Sequence, residues 1–137
     1  MTIENLENLV GIKQLKSEPP DQHEFERLVN AAVDRLNDAR NSSLSYASRF
    51  DLAYNAAYGL ALAALRAAGY RSDKRYIVFQ CLVHTVRLSK AQARTLSICH
   101  ERRNLAEYEG HFEADEPLLA ALIATTQKLL AILGTVY

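Results

Sequence analysis

The densest run of side chains able to do chemistry is His100-Glu101-Arg102-Arg103-Asn104-Leu105-Ala106-Glu107-Tyr108-Glu109-Gly110. On a helix, Arg103 and Glu107 are i, i+4 neighbours, and His100 lies one turn before Arg103 on the same stripe. Leu96 continues that stripe as an apolar position, which turns the stripe inward or toward an interface. Polar groups so placed are costly unless partnered. The spacing offers Arg103 to Glu107 and Asn104 to Tyr108. Two uses follow: a helix-end network that holds a bundle, or a shallow cleft in which Arg103 binds a phosphate while a neighbour polarises a ribose hydroxyl. The candidate catalytic set is Arg103, Asn104, Glu107 and Tyr108, and the candidate nucleic-acid contacts are Arg102, Arg103, His100, Arg71, Lys74 and Arg75.

Charge supports a phosphate-facing surface only locally. The chain has 137 residues with 16 basic and 16 acidic side chains, a formal net charge of zero. That total excludes a uniformly basic coat. Between Arg66 and Arg103, however, nine basic residues face only Asp73 and Glu101, so this stretch carries +7 and the remainder −7. A basic middle can meet phosphate, or it can pair with the acidic flanks or a second subunit. Aromatic residues for base stacking are few in this stretch: Tyr70, Tyr76 and Phe79.

The elements that must position these residues are helices. Thr2 suits the N-cap of a short leading helix with Ile3, Leu6, Leu9 and Val10, and Gly11 to Pro20 reads as a connector. Asp21 caps a helix whose Phe25, Leu28, Val29, Ala32, Val33, Leu36 and Ala39 follow helical periodicity, ending at Asn41-Ser42-Ser43. A second helix starts near Ser45 or Ser48 and runs to Ala68, with Gly69 free to take positive φ after it. Its Phe50, Tyr54, Ala57, Ala61, Ala64 and Leu65 share a face, and its many alanines permit close neighbours, as does Gly59. It is therefore the central helix, and Tyr54 and Tyr58 read as core or dimer packing. Tyr70 to Lys74 is a polar loop, and Arg75 to Arg87 a third helix. Ser89 caps a fourth helix from Lys90 to about Tyr108, closed by Glu109-Gly110. Asp115 and Pro117 open a fifth that Gly134 closes, with Thr135-Val136-Tyr137 as a frayed tail. No segment alternates with period two, so no sheet is expected. The fold class is all-α, an antiparallel four- to five-helix bundle, with a short helix and connector over 1–20 and the bundle over 21–134.

Other chemistries find no residues to carry them. The leading MTIENLENLV lacks a basic region followed by an apolar run, so no secretory signal is expected. The apolar stretch Ala53 to Ala68 contains Asn55 and Arg66 and reads as a buried helix rather than a membrane span. Cys81 and Cys99 read as reduced, half-buried thiols, although one bridge between them is possible. His23, His84 and His111 are scattered without metal-ligand spacing, so neither metal nor cofactor is expected. The expected location is the cytoplasm.

Two blocks resemble the HEPN superfamily of small helical proteins over roughly residues 21 to 133. The first is Ser48-Arg49-Phe50-Asp51-Leu52-Ala53-Tyr54-Asn55-Ala56-Ala57-Tyr58, followed by an Ala/Leu helix and Gly69, which is similar to the second-helix block of many prokaryotic members. The second is Arg103-Asn104-Leu105-Ala106-Glu107-Tyr108, where the family places an Arg, usually a polar residue, and then a His after four to six residues. The resemblance implies a HEPN-like bundle that dimerises so that two motif copies face a shared cleft. It also implies metal-free RNA cleavage in active members, many of them toxins paired with a nucleotidyltransferase-type antitoxin. Arg103 and Asn104 match the Arg-polar pair. The positions where the His belongs hold Tyr108, Glu109 and Gly110, and His111 falls one position too far.

That departure bears on chemistry. Proton exchange near neutral pH suits His best, and a Glu107 beside Arg103 is a weakened base. The expectation is a HEPN-like homodimer that binds nucleotide or RNA and is non-catalytic or weakly catalytic, from a toxin–antitoxin or mobile-element setting. The alternatives are a metal-independent endoribonuclease toxin using Arg103 with His100, Glu107 or Tyr108, and an interaction bundle with no nucleic-acid binding.

Overall fold

The computed structural model describes residues 2–110 and 112–136, and the side chains of 4–110 and 112–134. His111, Tyr137 and the capping role expected of the Thr2 side chain lie outside them. The chain is mostly helical, as its periodicity requires. Helix α1 spans Thr2–Gly11, α2 Gln22–Ala39, α3 Tyr46–Ala67, α4 Arg75–Gln80, α5 Leu82–Thr85, α6 Lys90–Glu109 and α7 Glu116–Val136.

Local chemistry sets the helix ends. The Asp21 carboxylate accepts the His23 and Glu24 N–H groups at the start of α2, and the Ser45 hydroxyl accepts that of Ser48 at the start of α3. Ser89 and Gln92 form a reciprocal capping box on α6: the Ser89 hydroxyl accepts the Gln92 N–H at 3.2 Å and the Gln92 side chain accepts the Ser89 N–H at 3.4 Å. Asp115 accepts the Leu118 N–H at 3.0 Å ahead of α7. Each cap satisfies donors that a helix start leaves orphaned. Gly69 and Gly110 take φ of +94° and +70° just past α3 and α6, where side chains other than glycine's are strained.

Helix α3 is central, packing against α2, α4, α5, α6 and α7. Phe50, Ala53, Tyr54, Ala57, Leu60, Ala61, Ala64 and Leu65 are all within 1% of complete burial. The Ala-rich sequence lets α2 approach closely. Residues 116–134 of α7 are long and apolar enough to cross a membrane by length and composition. Leu119, Leu122, Thr125, Thr126, Leu129 and Leu133 are nevertheless buried along a helix that packs on α2, α3 and α6.

Several expectations fail for physical reasons. A short antiparallel sheet is present: β1 (Lys16–Ser17) pairs with β2 (Tyr70–Arg71), Lys16 opposite Arg71 and Ser17 opposite Tyr70. Two residues per strand are too few to show alternation, and Arg66 donates to the carbonyls of Glu18 and Tyr70 beside the pair. The expected helix Arg75–Arg87 is two helices with Cys81 at the break. The His84 N–H already bonds the Cys81 carbonyl at 2.9 Å, and the Leu88 N–H returns to Leu82 at 3.2 Å as Arg87 takes φ +54°. The β-branched Thr85 and Val86 add little to helix stability there. Gly134 does not close α7, which continues to Val136. Cys81 and Cys99 are free and fully buried rather than half-buried, and burial pushes their thiols up to about 11 and about 12.

Candidate functional site

The site lies where two helical stripes face each other. Asp51, Tyr54, Asn55 and Tyr58 recur at i, i+3, i+4 and i+7 on α3; His100, Arg103, Asn104 and Glu107 do so on α6. Between these helices lies a solvent-open groove of about 400 Å³ lined by Ser48, Asp51, Arg103, Ala106, Glu107 and Phe112.

Arg103 is at its centre, with its side chain 19% exposed. Its Nη2 is 3.2 Å from Glu107 Oε1, the expected i, i+4 pair. Its Nε is enclosed without a hydrogen-bond acceptor, 3.6 Å from Asp51 Oδ1. The guanidinium carbon lies 5.0 Å from the centre of the Tyr54 ring. Both carboxylate partners are more than half exposed, so solvent screens them and each ion pair is weak. An arginine held by an aromatic face and two weak, displaceable carboxylates can exchange them for a phosphate, a bidentate acceptor carrying more charge.

His100 lies deeper. Its Nδ1 is 2.8 Å from the Tyr54 hydroxyl and its Nε2 is 3.2 Å from the Asn104 amide nitrogen. The amide NH₂ only donates, so Nε2 accepts, and the ring proton sits on Nδ1, donated to the Tyr54 oxygen. Burial, then the positive charges of Arg103 and Arg75, hold the imidazole below its usual pKa and keep it neutral. Burial likewise raises the Tyr54 hydroxyl, so it stays protonated.

Arg75, on the first turn of α4, completes the site from a third side. Its guanidinium lies 4.3 Å over the Tyr58 ring and donates to Asn55 Oδ1 at 3.2 Å. Phe79 packs against Tyr54, Tyr58 and His100 with ring centres 5.6, 5.8 and 6.0 Å apart.

The structure thus brings together Arg103, Asn104, Glu107, His100 and Arg75, and separates the other sequence-selected residues from them. Tyr108 does not bond Asn104; it is 92% exposed, and His100 takes its place as Asn104's partner. Arg102 turns away to Asp115 at 3.1 Å. Arg71 bonds Glu18 and Glu24 at 2.9 and 2.6 Å, and Lys74 donates to Gln14 at 3.2 Å. Arg66 is 1% exposed. The basic middle is therefore not one phosphate-facing surface, because several of its members satisfy internal acids. Of its aromatic residues, Tyr70 and Phe79 are buried, and Tyr76 alone among the three is exposed, at 50%. Sequence reasoning missed Asp51 and Asn55 and set aside Tyr54 and Tyr58 as packing. The signal was there in the polar edge running along an otherwise apolar α3, at the same spacing as the stripe on α6.

Comparison with family models, with curated proteins and with solved structures finds no match to this chain.

Proposed function

We propose that this chain is a HEPN-like homodimer whose α3–α6 groove binds the phosphate of a nucleotide or of RNA, without efficient cleavage. The observation that carries the reading is Arg103, shielded by the Tyr54 ring and open to solvent on the side of two exposed carboxylates. The missing family His supports the non-catalytic half. The residue five positions after Arg103 is Tyr108, which projects into solvent and does not line the groove. Dimerisation is supported by Leu105 and Tyr108, exposed at 54% and 92% beside the groove on α6, where a second copy would cover them. A toxin–antitoxin setting with a nucleotidyltransferase-type partner, and a cytoplasmic location, belong to the same proposal on the strength of the resemblance alone.

Titrating the dimer with single-stranded RNA tests it. Affinity should fall steeply with salt as phosphate contacts release counterions, and Arg103→Ala should weaken it by tenfold or more. Binding that Arg103→Ala leaves unchanged overturns the reading.

A second reading, slow metal-independent cleavage, is favoured by one observation: His100 is neutral, fixed by Tyr54 and Asn104, and one turn from Arg103. Neutral imidazole is able to take a proton from a ribose hydroxyl. Cleavage of RNA lost in both Arg103→Ala and His100→Ala would establish this reading over the first.

A further inference from the structure

Among the cations of the basic middle, Arg87, Lys90 and Arg94 are exposed and have neither an acid nor a hydrogen-bond partner among the described residues. They cluster at the elbow between α5 and α6. Lys90 and Arg94 are i, i+4 neighbours on one face, and Arg87 lies three residues before Lys90.

Their placement is unfavourable for folding. Lys90 and Arg94 occupy the first turn and a half of α6, where the helix dipole disfavours positive charge, and no acidic residue stands in that first turn to offset them. Arg87 takes φ +54°, a backbone conformation that costs a side chain about 1 kcal/mol or more. Cations placed at that cost, and neutralised by nothing among the described residues, fit an external anion.

A groove of about 450 Å³ runs beside Arg94. Phe79, Val83 and Ala93 form its floor, and Gln80, His84 and Arg94 stand around it. Phe79 is also the ring that packs on Tyr54 and His100, so it stands between this groove and the His100 side of the Arg103 site. Tyr76 stands at the junction. It is half exposed, its hydroxyl accepts from Gln80 at 2.7 Å, and its ring centre is 6.3 Å from that of His100.

We infer that a single-stranded polynucleotide runs from the Arg103 cleft past Tyr76 to the Arg87–Lys90–Arg94 elbow, its backbone held by those three cations and a base stacked on Tyr76. This rests on the phosphate-binding reading of the cleft and narrows its ligand. Lys90 and Arg103 are thirteen residues apart on α6, about 20 Å along the axis, too far for one mononucleotide to reach both. An exposed aromatic face beside a row of unpaired cations is the arrangement that takes unpaired bases without regard to sequence.

Fluorescence polarisation with a labelled oligouridylate of about ten nucleotides is the test, run on wild type, the triple variant Arg87→Gln/Lys90→Gln/Arg94→Gln, Tyr76→Ala and Arg103→Ala. The triple variant should melt no lower than wild type, since it removes charge the helix dipole disfavours. It should bind at least tenfold more weakly and lose about two to three from the salt slope. Tyr76→Ala should bind several-fold more weakly with the slope unchanged, and uridine monophosphate should compete poorly. If the triple variant keeps wild-type affinity and slope while Arg103→Ala loses binding, the track is wrong and the cleft stands. If the monophosphate competes as well as the oligomer, the track is also overturned. If wild type does not bind the oligomer, the track is overturned, and if it does not bind the monophosphate either, the cleft reading falls with it.

Discussion

At the scale of single residues, the chain holds one histidine in a defined electrical state. His100 sits against a tyrosine hydroxyl, an amide and two arginines; burial first, then the charges of Arg103 and Arg75, favours the neutral ring and outweighs the opposing charge of Glu101. Its pKa in the folded protein therefore lies below the 6.5 of an ordinary imidazole. The folded state then binds fewer protons than the unfolded one, so acidification favours unfolding. The contribution is complete above the unfolded value and is lost as pH falls from there through the folded value. Urea midpoints across that range should fall more for wild type than for His100→Gln, which cannot titrate. Parallel curves for the two proteins would show that the ring is not held neutral. Tyr54→Phe removes one partner of the same ring and should cost about 1 kcal/mol of stability. None of this was legible in the run His100–Gly110. The sequence spacing identified Arg103 with Glu107, since i, i+4 contact is a local property. Tyr54 lies 46 positions away from His100, and only the packing of α6 on α3 joins them.

At the scale of elements, what could be read in advance was what neighbours decide. The caps at Asp21, Ser45, Ser89 and Asp115 are short-range hydrogen bonds between residues two or three apart; three stand where the sequence puts them, and Ser45 is one of the two starts, with Ser48, that the sequence leaves open for α3. The two small strands and the break at Cys81 depend on contacts from elsewhere and left no periodic trace. Gly59 shows the limit of reading even a local feature. It was expected to permit close packing of the central helix, and a Cβ built there would meet the Leu28 carbonyl oxygen at 3.6 Å and the Ala32 Cβ at 3.9 Å. Those are ordinary van der Waals distances, so alanine fits without displacing α2. Gly59→Ala should therefore stabilise the protein by about 0.5–1 kcal/mol, since it restricts the unfolded chain and favours helix at a buried position. A rise in the denaturation midpoint with an unchanged slope is the expected record. A fall would mean that α2 and α3 leave no room for the added methyl group.

At the scale of the whole molecule, the zero net charge has a structural meaning in the clamp around Arg66. This side chain is 2% exposed, and its guanidinium uses every nitrogen. Nε donates to Glu24 Oε1 at 2.7 Å, Nη1 to the carbonyls of Glu18 and Tyr70 at 3.0 and 3.3 Å, and Nη2 to the Pro19 carbonyl at 2.7 Å. Arg71 closes the network by bonding the remaining oxygen of Glu24 at 2.6 Å and the Glu18 carboxylate at 2.9 Å. Arg71, then Arg66, hold the Glu24 carboxyl below its usual pKa. The clamp joins the segment before α2 to the end of α3, and the β1–β2 pair lies across the same junction. Two positive charges counted in the basic middle are thereby the fastening of the N-terminal segment. Arg66→Met keeps the bulk and removes the charge, leaving three backbone carbonyls and Glu24 Oε1 without the Arg66 donors, while Arg71 still holds Glu24 Oε2. Breaking a buried pair this way costs about 3–5 kcal/mol, toward the lower end here because Glu18 is partly exposed and screened. In the Arg66→Met/Glu24→Gln double variant the half-paired carboxylate is gone as well, so its loss should be smaller than the sum of the two single losses. Amide exchange adds a spatial readout: protection should drop first at Glu18, whose N–H bonds the Gly69 carbonyl at 2.9 Å, while the centre of α3 stays protected. Additive losses, or an exchange pattern that loosens α3 and residue 18 together, would mean that Arg66 supports the core at large rather than fastening this segment to it.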